Sequence, residues 1–148
     1  MLTIHTADEL RSSWDAEPVK DGAVAVEGTR VAGIGPLDAL LERFPGARVR
    51  RWPGVLGPAL VHEGPLPEAP SPRERVHAVL KSGAVAVLEG HVDTPELRAA
   101  AQRNDVVVLP RTRPTAIVDQ GRADLAVFDA DGACIATVCA GRLVHRRR

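Results

Sequence analysis

Residues 23–35 read AVAVEGTRVAGIG. β-Branched and small residues alternate on both sides of Glu27-Gly28, the pattern of two strands meeting at a tight turn. Gly28 would supply the positive φ that other residues resist. Beyond this pair, Leu37, Leu40, Leu41 and Phe44 recur at helical spacing behind Pro36, which fits the first helical position, and Pro45-Gly46 ends the run. A short helix covering a sheet is expected here. Residues 47–52, ARVRRW, then alternate like a half-buried strand and lead into VLGPALVHEGPL at 55–66.

The Pro-rich stretch GPLPEAPSP that follows is the strongest candidate for a boundary between structural layers. Ser71 and Glu74 have the spacing of a capping box, with Ser71 accepting from the helix start and Glu74 reaching back. Val76, Val79 and Leu80 trace one helix face ending near Gly83, and AVAVLE at 84–89 is a short apolar strand. Thr94-Pro95-Glu96 opens another helix with Leu97, Ala100 and Ala101 on its apolar face, followed by a strand at 105–110, DVVVLP. Helix, strand, helix, strand predicts a small parallel α/β piece. The last third returns to hairpins, with strands near 125–128, 134–139 and 142–146 turned at Asp131-Gly132 and Ala140-Gly141.

Composition narrows the function classes. At 148 residues, with 45% hydrophobic and 26% charged side chains, the chain has the make-up of one globular unit able to bury roughly 70% of its unfolded surface. Nineteen basic and nineteen acidic residues cancel, and two Phe, two Trp and no Tyr leave little for stacking bases, so no nucleic-acid partner is expected. Arg146-Arg147-Arg148 reads as a solvated basic tail. The apolar stretches are strand-sized and no signal pattern is present, which points to a cytoplasmic protein without a membrane partner. Cys134 and Cys139 fall on opposite faces of one strand, roughly 16 Å apart, too far to bridge. They read as small buried apolar residues.

Three stretches, 21–49, PALV at 58–61 and GRADLAVFDADGACIATVCAGRLVHR at 121–146, resemble in this order the amidohydrolase superfamily, in particular its imidazolonepropionase and aminodeoxyfutalosine deaminase-like branch. They cover somewhat less than half the chain. The resemblance implies a small β-sandwich composite domain built from both chain ends, which in that family flanks a metal-binding TIM barrel. The family passes into the barrel through a segment like P-G-L-V-N-x-H-T-H, whose two histidines bind the metal. Laid on this chain, Pro58 to Val61 match the lead, His62 takes the Asn place, and the histidine places fall on Gly64 and Leu66, neither of which ligates a metal. Length agrees: a barrel takes ~250 residues, and only about fifty lie between Leu66 and Thr115. RVHAVLKSGAVAV is similar to the family's first barrel helix and second strand, so the helix-strand units look like a barrel remnant.

A rebuilt site would draw on Glu89, His91 and Asp93, which share a face if 89–93 stay extended, with His62 and Glu63 approaching from the preceding strand end. The plainer alternative makes Asp93 the cap of the next helix and leaves Glu89 and His91 as solvated loop residues, with His62 and Glu63 as polar surface. His77 lies on a helix flank, and His5 and His145 sit in terminal strands where structural roles are expected. No Ser-His-Asp spacing, phosphate-cradling glycine loop or Cys-His zinc pattern appears, and Gly33-Ile34-Gly35 lacks the rest of a dinucleotide fingerprint.

The expected architecture is therefore α+β: a composite β-sandwich from residues 1–61 and 115–148, with a truncated α/β insertion at 62–114 replacing the barrel. The leading functional expectation is a non-catalytic amidohydrolase-like protein without catalytic residues or cofactor, which covers its exposed apolar face by forming a homodimer or binding another protein. The rivals are a minimal hydrolase of non-peptide carbon-nitrogen bonds, using zinc or another divalent transition metal held by the five residues above, and a small-molecule binding module.

Overall fold

The computed structural model describes residues 2–147. It contains eleven strands and three α-helices among those residues, arranged in two sheets. The larger, eight-stranded sheet takes β1 (Leu2–Leu10), β2 (Val19–Lys20), β3 (Gly22–Glu27), β4 (Arg30–Pro36), β5 (Arg48–Pro58), β9 (Leu125–Phe128), β10 (Cys134–Cys139) and β11 (Arg142–Arg146). Its order is β11-β10-β9-β5-β1-β3-β4, with β2 on β1. β1 and β5 run parallel, so the N-terminal strand joins the first hairpin to the C-terminal hairpins.

The quoted alternation has a specific use. Val24 and Val26 face a core shared with Val31, Leu56, Leu125, Val127 and Val138, while Ala23 and Ala25 face Leu37 and Leu40 of α1 (Leu37–Arg43). Valine fills the space between strands of the two halves, and alanine lets the helix approach the other side closely. Gly28 turns the hairpin at φ +61°. Pro36 stands one position earlier than the sequence suggests, as the extended N-cap residue of α1.

The sheet folds over on itself. The backbone of 120–123 meets the free edge of β4, with Val31 N–H donating to the Gly121 carbonyl and Gln120 N–H to the Val31 carbonyl, both at 2.8 Å. Ala123 N–H reaches the Thr29 carbonyl at 2.8 Å, and the Ala123 carbonyl accepts from Gly141 at the β10-β11 turn at 2.9 Å. An edge that would otherwise offer open backbone groups is thereby satisfied.

β5 leads out of this roll. It is one strand of 11 residues, running beyond the strand expected at 47–52, because Gly54 takes φ +88° and a register shift opposite Ala7–Glu9 absorbs Pro53. After Pro58 the chain enters the smaller, parallel sheet β6 (Leu60–His62), β7 (Ala84–Leu88) and β8 (Val107–Leu109), in the order β6-β7-β8. α2 (Pro72–Lys81) and α3 (Pro95–Arg103) connect these strands. Ser71 Oγ accepts from Glu74 N–H at 3.2 Å, and Thr94 Oγ1 from Leu97 N–H at 3.2 Å. Among the described residues the Glu74 carboxylate makes no return bond, so half of the expected capping box forms.

Leu66, Val76, Val79, Leu80, Val87 and Leu97 build the core of this second layer, which continues into Ala126 and Cys139 of the large sheet and packs Phe128 and Val144. No helix of the described residues is long and apolar enough to cross a membrane.

Candidate functional site

The five residues of the expected site gather at one end of the parallel sheet without forming a metal centre. β6 ends at His62, which is paired in register with Val87, one residue before the end of β7. Glu89, Gly90 and His91 form a 3-10 helical turn, and Val92 N–H closes it on the Glu89 carbonyl at 3.1 Å. The premise that 89–93 stay extended therefore fails, and with it the shared face for Glu89, His91 and Asp93. The turn has a plain cause: Val92 is fully buried in the helix-side core, which pulls the chain inward directly after β7.

Each side chain has its own setting. His62 Nε2 lies 2.9 Å from the Pro65 carbonyl, a local bond within the connector. Glu63, Glu89 and Asp93 are exposed and His91 is half-buried. Thr94, not Asp93, caps α3. Among the described residues no group of three or more His, Cys, Asp and Glu side chains is placed to hold a metal ion.

A groove of about 300 Å³ opens nearby, between Leu60, Val61, Val85 and Ala86 of the parallel sheet and the returning segment 113–124. None of the five residues lines it. Its polar lining includes Arg113, Thr115, and Arg122 and Asp124, the last two joined by a 3.0 Å ion pair. Arg122 Nη2 also donates to Cys139 Sγ at 3.1 Å and to the Asp105 carbonyl, and Asp124 Oδ1 accepts from Ala140 N–H at 2.9 Å. Burial pushes the Cys139 thiol up to about 11 against the opposing pull of Arg122, so it stays protonated. This cluster pins the end of α3 to the β10-β11 turn. Sequence reading missed it because its members lie on three separate segments.

The other half of the molecule holds the most perturbed histidine. Trp52 Nε1 donates to His5 Nδ1 at 3.3 Å, and the rings stack at 6.4 Å with a 12° tilt. Burial, helped by the charge of Arg50, holds His5 down at about 4. His5 is thus a neutral acceptor inside the roll, in keeping with the structural role expected of it.

The rolled sheet thus passes directly into a short parallel β/α run. Residues 22–47 match the imidazolonepropionase-like composite domain of bacteria, and among the described residues the parallel sheet has three strands and does not close into a barrel. Similar solved structures include an adenosine deaminase from Xanthomonas campestris with bound zinc, at 18% identity and TM-score 0.55, covering 80% of this chain and 36% of that one. A guanine deaminase from Bradyrhizobium japonicum has 13% identity and TM-score 0.55, covering 72% and 34%. The guanine deaminase of E. coli has 16% identity and TM-score 0.54, covering 73% and 35%. At these identities the likeness is one of fold, and the chain spans about a third of the length of each structure. No curated protein matches it by sequence.

Proposed function

We propose that this chain is a non-catalytic amidohydrolase-like protein, a pseudoenzyme that serves as an interaction or regulatory module and self-associates. In this reading residues 1–61 and 115–148 are a composite β-sandwich, and 62–114 is a truncated α/β insertion where relatives carry a barrel. The observation that carries the reading is Leu66. It occupies the second metal-histidine place, yet it is 2% exposed and packs with Val76 and Leu80 in the core of the insertion. Gly64, in the first place, lies beyond the end of β6 and has no side chain to offer. The position that held metal chemistry has become a packing position, and the proposal assigns no cofactor to it. The proposed setting is the cytoplasm, where free thiols such as Cys134 and Cys139 persist.

Self-association has a physical basis in the parallel sheet. β6 and β8 each have one strand neighbour in it, and Val108 on β8 is 38% exposed. An edge strand with an exposed apolar side chain is a template for pairing. The proposed partner is a second copy of the chain through β8, with a full-length amidohydrolase as the alternative. Light scattering on the purified protein is expected to give a dimer mass, and Val108→Lys a monomer. A strict monomer at micromolar concentration would contradict the self-association.

A further inference from the structure

One end of the rolled sheet collects positive charge that no ion pair among the described residues balances. Thr3 pairs with Arg48, His5 with Arg50 and Ala7 with Trp52 in the parallel β1-β5 register, so each pair shares a face. Ala7 and Trp52 belong to the core inside the roll, which places Arg48 and Arg50 on that same face, towards the start of β5. Arg146 on β11 pairs with Ala136, another residue of that core. Its guanidinium lies 5.6 Å above the centre of the Trp52 ring, although β11 and β5 are separated by two strands in the sheet. The folding over of the sheet is what brings them together.

Among the described residues Arg48, Arg50 and Arg146 make no ion pair, whereas Arg122, Arg142 and Arg147 each bind a carboxylate. Burial, and then the charges of Arg48 and Arg146, make Arg50 easier to deprotonate than an ordinary arginine, as expected of three guanidiniums that lie near one another. Gathering like charges on facing strands is destabilising unless a counter-charge joins them. In a chain whose formal net charge is zero, this concentration is not a general basicity. Trp52 is held in place by His5, so the floor of the cluster is fixed before anything binds.

We propose that this arginine cluster binds a small phosphate-bearing molecule, its phosphoryl oxygens held by the Arg48, Arg50 and Arg146 guanidiniums beside Trp52. Guanidinium presents paired N–H donors that match phosphoryl oxygens, and three of them suit a group carrying more than one negative charge. The site is separate from the insertion: Arg48 and Pro58 are the two ends of β5, roughly 30 Å apart along an extended strand. It therefore stands or falls independently of the self-association proposed above.

The test is a titration of the full chain with pyrophosphate, followed through the two tryptophan indole N–H signals by NMR. Trp14, which packs on Gly57 near the far end of β5, is the internal control. The Trp52 signal is expected to shift saturably while Trp14 stays still, with affinity falling as salt is added. Arg50→Gln and Arg146→Gln should each weaken binding about tenfold or more, and Arg103→Gln on α3 should leave it unchanged. Arg146 lies at an exposed strand end, so its variant gives the answer even where Arg50→Gln folds poorly. Absence of a saturable shift, an equal shift with acetate at matched ionic strength, or an equal loss in Arg103→Gln would overturn the proposal.

Discussion

The Thr137 hydroxyl donates to the Leu80 carbonyl at 2.7 Å, tying β10 to the last turn of α2 across 57 positions of sequence. Both residues are buried, so this bond joins the two layers where water does not compete. Thr137→Val keeps the shape and removes the donor. Because the Leu80 carbonyl still accepts from Gly83 N–H at 3.1 Å, the expected loss is about 1 kcal/mol. Urea unfolding should show a lower midpoint with an unchanged slope.

Leu66 gives a larger effect. Leu66→Ala leaves a hole in the core of the insertion and should cost about 2–4 kcal/mol. Replacing it with histidine to restore a metal pair should be at least as damaging, since it buries an imidazole in apolar surroundings. Gly64→His faces open space and should be tolerated. Thermal melts with and without zinc check this: the double Gly64→His, Leu66→His protein is expected to melt early and to gain nothing from the metal.

His5 predicts an acid limb of stability. In the unfolded chain its imidazole takes up a proton near pH 6.5, and in the fold only near 4. Between those values the unfolded state binds more protons, so the contribution is complete above pH 6.5 and is lost as pH falls toward 4. The whole window is worth up to about 3 kcal/mol. Chemical denaturation across this range should show the decline, and His5→Leu should flatten it. The His5 ring protons should show no titration above pH 5.

Cys139 should be inert in the folded protein. Its thiol is buried and raised to about 11, so at about pH 8 almost none is thiolate. Cys134 is shifted the same way, again chiefly by burial, but is only partly covered. Alkylation followed by peptide mass mapping should label Cys139 only when denaturant unfolds the chain, and Cys134 sooner.

The local grammar of the sheet was legible in the sequence. The Ala-Val alternation of β3, the Gly28 turn and the two C-terminal hairpins each depend on neighbours in the chain. The register opposite Ala7–Glu9 that lets β5 run through Pro53 was not legible, because it is set by a strand some forty positions away. The 3-10 turn at Glu89–His91 was hidden for a similar reason: burial of Val92 in a core formed by two helices decides it. For the candidate residues His62, Glu63, Glu89, His91 and Asp93, what the sequence did not disclose is the local conformation of 89–91, which turns where an extended run was expected. Arg146 was visible only as part of a basic tail. Its approach to Trp52 depends on the folding over of the whole sheet, and Arg148 lies outside the described residues.

The central proposal is that this chain has an amidohydrolase-like framework and works without metal chemistry. Elemental analysis of protein purified without chelator tests it most directly. The account predicts zinc, iron and manganese each far below one atom per chain; one tightly bound equivalent of any of them would contradict it.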